Sequence, residues 1–365
     1  MKRWLQQWLQ SWRASPSVEL PVVEAELPLA ADIPPPADDE YAQRLRAELG
    51  TFVDQVNVHE LPPIFHYWSN RYVRPILESF GYSHPEDLFV KAMASVAEAR
   101  PGKSLRMISL GAGNCDTEVR VAQALRERGI ANFTIECLEL NPAMRERGVS
   151  LATEAGLAEK VLPIEGDFNR WQAKGEYDVV LANQSLHHVQ NLEGLFAAIR
   201  SALPPHGIFV TSDIIGRNGH MRWPEAMDIV QEFWRELPPD YRYNMQLRRH
   251  DEVFQDWDCS VEGFEGIRAQ DVLPQLIAHF HFDFFFACSN VMDIFIDRAI
   301  GHHFNVNDPN DIAFIDRIQA RDEDEILAGR ITPTHIMAIL RREPVDAPRV
   351  WKHLTPAFCV RHVEA

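Results

Sequence analysis

After Pro101-Gly102 the chain settles into a rhythm of short apolar runs separated by segments of helical length, and no other feature restricts its fold as much. The runs fall at 105–110, 133–140, 160–164, 177–182 and 207–213, with helices expected near 116–129, 142–156 and 191–203. Such alternation builds βαβ units, whose strands are covered on both faces and therefore read as nearly continuous apolar stretches. Two later runs, 281–288 and 334–341, are set apart by long helical insertions at 214–280 and 289–333. The expectation is an α/β protein with a doubly wound parallel sheet and helical insertions.

The 365 residues, 46% apolar and 24% charged, suffice for one large core with insertions. With 36 basic against 53 acidic residues, the net charge of −17 repels phosphate backbones, and no nucleic acid partner is expected. Five dispersed cysteines without a C-x-x-C pair read as reduced thiols. No apolar run reaches the length of a membrane span, so a cytoplasmic protein is expected.

The first segment stands apart. Trp4, Leu5, Trp8, Leu9 and Trp12 share one face of an amphipathic helix over 1–13, and a Pro- and acid-rich linker spans 14–39. Three tryptophans and three basic residues suit peripheral membrane docking, and the same face suits docking on a protein or on the chain's own domain. Residues 40–100 carry helical patterns near 40–58, 63–80 and 85–99, the last capped by Ser83, and form an N-terminal helical cap.

Chemistry concentrates at the strand ends. Ile108-Ser109-Leu110-Gly111-Ala112-Gly113-Asn114-Cys115-Asp116 is a strand, a glycine turn and a helix start, which lets backbone approach a ligand. Asp116 stands where a dinucleotide fingerprint requires its third glycine, which weakens an NAD reading. The next strand ends at Glu139-Leu140, where a carboxylate accepts both hydroxyls of a ribose. The third closes in Asp167-Phe168, an acceptor for an exocyclic amine beside a ring that lies on a base. The fourth runs out through Asn183-Gln184-Ser185-Leu186-His187-His188 on the same rim.

With these motifs in order, residues 104–215 resemble the class I S-adenosylmethionine-dependent methyltransferases. The resemblance implies a Rossmann-like seven-stranded sheet of order 3-2-1-4-5-7-6, with 334–341 antiparallel between its neighbours. It implies a methyltransferase domain over 101–345, followed by a tail at 346–365. S-adenosylmethionine is the implied cofactor. Gly111 and Gly113 then admit its methionine part, Glu139 holds its ribose, Asp167 and Phe168 its adenine, Asn183 and Gln184 lie near the methionine and methyl region, and Ala112, Asn114 and Leu140 complete the cofactor-binding set. Two positions depart from the family pattern: Ser109 replaces the usual acid, Cys115 the third glycine, and Asp116 is the nearest acid to compensate.

The acceptor is expected in a pocket roofed by the two insertions and the helical cap, which favours a small molecule. His187 and His188 are the candidate general bases, because a nucleophile that must lose a proton needs a group titrating near neutrality. His66, Tyr67 and Trp68 are weaker candidates for acceptor contact. No metal is expected: His279 and His281, taken to share a strand face, and His302-His303 each lack a third ligand. Methyl transfer to an oxygen or nitrogen of a small molecule is the favoured reading. The alternative is a non-catalytic cofactor-binding scaffold or sensor, and an RNA or protein methyltransferase ranks lower.

Overall fold

A computed structural model describes residues 38–51, 61–261 and 263–362. The amphipathic helix expected at 1–13 and the second part of the helix at 40–58 lie outside the described residues. So does the linker, apart from its last two residues, which begin the first helix.

The cap contains α1 (Asp38–Thr51), α2 (Pro63–Trp68), α3 (Arg74–Ser79) and α4 (Pro85–Glu98). A π-helical turn, Ser69–Val73, joins α2 to α3 without breaking the helix axis into a loop, just where Pro75 removes a backbone donor. The cap of α4 is His84 and not Ser83: the imidazole accepts from the Asp87 N–H, while the Ser83 N–H and hydroxyl donate to the Asp87 carboxylate.

The alternating core follows as β1 (Leu105–Leu110), α5 (Asp116–Glu127), β2 (Phe133–Glu139), α6 (Pro142–Glu154), β3 (Val161–Glu165), β4 (Val179–Asn183), α7 (Leu192–Ala202) and β5 (Ile208–Ile214). The first insertion holds α8 (Pro224–Glu236), a small hairpin of β6 (Tyr243–Asn244) and β7 (Arg249–His250), and α9 (Ala269–His279). Then come β8 (His281–Cys288), α10 (Val291–Ile296), α11 (Pro309–Leu327), β9 (His335–Arg341) and β10 (Arg349–Val350). His279 closes a helix and does not lie on the strand with His281, which removes the shared face expected for that pair.

The main sheet is mixed and has eight strands in the order β3-β2-β1-β4-β5-β9-β8-β10. β1 to β5 are mutually parallel, and β9 runs antiparallel to both β5 and β8. The strand beyond the expected seven is β10, whose two residues pair parallel with Phe284 and Phe285 at the outer edge. A two-residue rung is too short to carry a periodic apolar signal, and it protects an edge that would otherwise be open.

Helices cover both faces, so β4 up to Ala182 and the first half of β5 are buried throughout: Val179, Val180, Leu181, Ala182, Ile208, Phe209 and Val210. The cap is held by aromatic contacts with the far end of the sheet. The rings of Phe80 and Tyr82 each meet Phe284 edge-on with centroids 5.2 Å apart. Parallel register aligns the exits of β1, β2 and β3, with Leu110 opposite Leu138 and Glu139 opposite Glu165. Among the described residues, no helix is long and apolar enough to cross a membrane.

Phe284 is fully buried where the cap meets the sheet. Phe284→Ala is therefore expected to cost about 3–5 kcal/mol in urea-induced unfolding. A loss below about 1 kcal/mol would mean that this contact does not fasten the cap.

Candidate active site

The carboxyl ends of the parallel strands open into a cleft of about 1240 Å³. Its walls come from the cap, both insertions and the strand exits, and all the expected site residues line it. Phe65 and Trp68 also reach it, whereas His66 and Tyr67 do not. Tyr67 instead donates to Asp316 (2.8 Å).

One half of the cleft is built on backbone. The turn after β1 requires Gly111, which has a φ of +69° and whose Cβ would stand 2.8 Å from that of Ser185. The N–H groups of Gly111 and Ala112 donate to the Leu138 carbonyl, so the turn is bonded to the end of β2. Glu139 draws the same two elements together: one oxygen accepts from the Gly113 N–H (2.9 Å), the other from the Asn141 N–H (2.8 Å). Asn114 accepts from Arg147 (2.7 Å), and the Leu140 carbonyl accepts from Arg145 (2.6 Å).

At the exit of β3, Asp167 accepts from the Asn169 N–H (2.9 Å) and from the Tyr41 hydroxyl (2.5 Å), which α1 brings across the cleft. Burial first, then the Asp167 carboxylate, pushes the Tyr41 phenol above its ordinary range. Phe168 approaches the glycine turn from below. At the exit of β4, Asn183 donates to Thr117 (3.4 Å), and the Gln184 N–H donates to the Ser212 carbonyl (2.8 Å).

Ser109 meets an acid that the strand pattern does not reveal. Its hydroxyl donates to Glu118 (2.7 Å) on the first turn of α5, while Asp116 is not the residue that fills this place. Glu118 is fully buried, and its second carboxylate oxygen has no hydrogen-bond partner among the described residues. Burial favours the neutral acid, the Ser109 bond opposes this in part, and the result is a pKa raised to about 7.

The other half of the cleft depends on Asp213 near the end of β5, a wholly buried carboxylate. One oxygen accepts from the backbone N–H groups of Ser185 (2.9 Å) and Leu186 (2.7 Å); the other accepts from Ile214 N–H (2.8 Å) and bonds His187 Nδ1 (2.6 Å). Burial alone would favour the neutral acid, but the His187 ring and these N–H groups hold Asp213 below the usual carboxylate range. Burial likewise disfavours the His187 imidazolium, and the Asp213 and Glu265 carboxylates outweigh it, pushing the pKa up to about 10.

The remaining nitrogens converge. His187 Nε2 lies 3.2 Å from Glu265 Oε1, His188 Nε2 3.4 Å from Glu265 Oε2, and His220 Nε2 2.5 Å from Glu265 Oε1. His188 Nδ1 is 2.8 Å from Glu48 of α1. Beneath the cluster, Arg222 donates to the His220 carbonyl (2.8 Å), to the Asn290 carbonyl and to Asp293, which fixes the loop carrying His220. Glu48, Asp213, His220 and Glu265 were not among the expected site residues. Only Asp213 carried a readable signal, an acid near the end of an expected strand that begins with the apolar run Ile208-Phe209-Val210.

A family model described as a methyltransferase domain matches residues 86–273, just over half of the chain and the whole of β1 to β5. The chain belongs to this family. It is a class I methyltransferase, and S-adenosylmethionine is the cofactor of its methyl transfer. Among curated proteins, the methyltransferase is 24% identical over 214 residues to fusarielin synthase of Gibberella zeae, a match covering 57% of this chain and 8% of that protein. The chain thus spans well under a tenth of the length of the curated relative it matches. Solved structures similar to it include the O-methyltransferase of a trans-AT PKS multienzyme of Brevibacillus brevis in complex with S-adenosyl-L-homocysteine. That protein is 14% identical, with 78% of this chain and 81% of that one covered at a TM-score of 0.41. A geranyl diphosphate methyltransferase in complex with GPP and sinefungin is 13% identical, with 69% and 77% covered at a TM-score of 0.38.

The folded methyltransferase keeps the Glu118 proton up to about pH 7, whereas an unfolded chain releases it near 4.5. The folded state therefore binds more protons in that window, and this group's contribution to stability falls as pH rises through it, then levels. Glu118→Gln is expected to abolish that contribution and to be the more stable protein at pH 8, by up to about 3 kcal/mol. Urea denaturation of both proteins at pH 4 and pH 8 checks this; a difference between them that does not change with pH would refute it.

Proposed function

We propose that the protein transfers the methyl group of S-adenosylmethionine to an oxygen or nitrogen of a small-molecule acceptor held beside the imidazole cluster. The observation that carries this reading is the orientation of His187. Its Nδ1 is bonded to buried Asp213, and its Nε2 faces a cleft that also contains the glycine turn. A ring held in this way presents a defined nitrogen to a hydroxyl or amine that must lose a proton.

On the cofactor side, the turn Gly111-Ala112-Gly113-Asn114 admits the methionine part, with Asn183 and Gln184 beside the methyl-bearing end. Glu139 takes the ribose hydroxyls, with Leu140 against the sugar. Asp167 takes the adenine amine in exchange for the Tyr41 hydroxyl, and Phe168 lies along the base. Glu118 joins this set: its unpartnered oxygen supplies the acceptor for the methionine ammonium that Ser109 does not.

On the acceptor side, the apolar side chains of Trp68, Val73, Leu77, Phe286, Ile294 and Ile296 line the same cleft as the imidazoles. This contrast suits an acceptor with a largely apolar body and one reacting hydroxyl or amine. Methyl transfer from a sulfonium is an in-line displacement, so holding the acceptor opposite the methyl group supplies much of the rate, and His187 and His188 are the proposed proton acceptors, His187 only after giving up the proton that Asp213 and Glu265 favour.

Calorimetric titration with S-adenosylmethionine is expected to show saturable one-to-one binding, weakened about 10- to 100-fold in Glu139→Ala, which removes two charged hydrogen bonds to the ribose. Unchanged affinity would sink the ribose assignment. With an acceptor found by following S-adenosylhomocysteine release, His187→Gln is expected to lower kcat about 100-fold while leaving cofactor affinity intact. An undiminished kcat would remove His187 from the reaction.

A further inference from the structure

We infer that His187, His188 and Glu265 form a binding site for a divalent first-row transition-metal cation on the acceptor side of the cleft. The inference rests on the proposed function for the role of the ion, though not for its binding.

The geometry is that of prepared ligands. A metal-binding imidazole usually gives its second ring nitrogen to a carboxylate or carbonyl, which fixes the tautomer and aims the first nitrogen. Both rings here have such a partner: His187 Nδ1 on Asp213 at 2.6 Å and His188 Nδ1 on Glu48 at 2.8 Å. Both Nε2 atoms are thereby aimed at one carboxylate, at 3.2 and 3.4 Å. Donor atoms bound at about 2.1 Å to a single ion stand about 3.0–3.5 Å from one another. The ligand atoms of all three residues lie within 4.8 Å of each other.

Placement on the chain supports the same conclusion. The turn Leu186–His188 sends two consecutive histidines to one side of the cleft, and Glu265 arrives from the first insertion. His220 Nε2, 2.5 Å from the Glu265 oxygen that His187 also faces, helps to fix the orientation of that carboxylate. His187 and His188 each have both ring nitrogens facing carboxylates, so an ion that replaces the proton on Nε2 keeps each ring bonded on both sides. Two imidazoles and one carboxylate suit zinc, manganese, iron or cobalt, and not magnesium or calcium, which prefer oxygen donors.

Three protein ligands leave coordination positions open towards the cleft, where the oxygen of an acceptor enters. The ion then lowers the pKa of a bound hydroxyl, so the reacting class narrows to phenols, enols and hydroxyls beside a second oxygen donor. The hydroxyl proton passes to bulk water, the oxygen forms a bond to the methyl carbon, and the carbon–sulfur bond breaks with its electron pair remaining on sulfur. With the ion bound, His187 and His188 act as ligands, and proton acceptance by imidazole belongs to the ion-free protein.

A second group, Cys115, Glu118 and Cys137, also brings potential ligands together, and its thiols make it distinguishable. The full chain, stripped with a chelator, is titrated with Co²⁺ and followed by calorimetry and by visible and near-ultraviolet absorption. One equivalent is expected to bind with weak ligand-field bands and no sulfur-to-cobalt charge transfer. His188→Ala and Glu265→Gln are each expected to weaken binding at least 10-fold, while retained S-adenosylmethionine binding shows that both variants fold. Absence of saturable Co²⁺ binding, a thiolate spectrum, or unchanged affinity in both variants would overturn the proposal. Cofactor binding without Co²⁺ binding refutes the ion site alone, and Co²⁺ binding without cofactor binding refutes the methyl-transfer reading instead.

Discussion

The buried carboxylate of Asp213 is the constraint on which the acceptor half of this protein depends. Placed near the end of a central strand, it must be satisfied on every side, because an unpaired charge in the interior costs several kcal/mol. Its partners are the N–H groups of Ser185, Leu186, His187 and Ile214 and the His187 ring. Meeting that demand folds the segment after β4 back against β5, brings Ser185 under the glycine turn, where its hydroxyl bonds the Leu110 carbonyl (2.7 Å), and sends His187 Nε2 into the cleft. One charge therefore sets a backbone path and the orientation of an imidazole together. Replacing Asp213 by an apolar residue would leave four N–H groups and a ring without partners, so its structural and chemical roles cannot be separated.

Helix α1 connects the two halves. Through Tyr41 it reaches the carboxylate at the end of β3, and through Glu48 it reaches His188 and the Phe264 N–H. Arg44, between them, donates to the Ser260 and Gly263 carbonyls of the first insertion. A ligand that displaces Tyr41 from Asp167 thus acts on the same helix that positions His188. One rigid element thus touches both ends of the cleft, the Asp167 carboxylate at one and His188 at the other.

Much of the core was legible because its strands are buried on both faces. A continuous apolar run bounded by turn residues is an unambiguous signal, and β1 and β8 fall at their expected bounds, while β2 to β5 and β9 fall within two residues of theirs. The polar residues at the strand exits were legible for the same reason, since an acid or amide ending an apolar strand stands out. What the pattern missed lies where no period exists. Glu265 sits in an irregular stretch, and nothing in its neighbours distinguishes it from many surface acids. His220 follows a glycine in a short turn and itself takes a positive φ of 57°. Their meeting with His187 and His188 is set by how an insertion folds over the sheet, which depends on packing at long range and not on local propensity.

The pair Ser109 and Glu118 shows how a motif survives a change at one of its positions. A strand acid near the glycine turn points at the place where a ligand ammonium would lie; here the strand supplies a hydroxyl and the first turn of α5 supplies the acid, with Ser109 donating to it. The carboxylate remains in the same neighbourhood but is carried by a helix, fully buried, with one oxygen unpartnered among the described residues. Burial raises its pKa to about 7, so near neutrality its protonation is finely balanced. A cation arriving beside it would shift that balance to the carboxylate, because an opposite charge within a few ångström favours ionisation. In the proposed role, Glu118 thus avoids a permanent buried charge when the site is empty and still offers one to a positively charged ligand, which a permanently ionised buried acid would not do without a standing cost in stability.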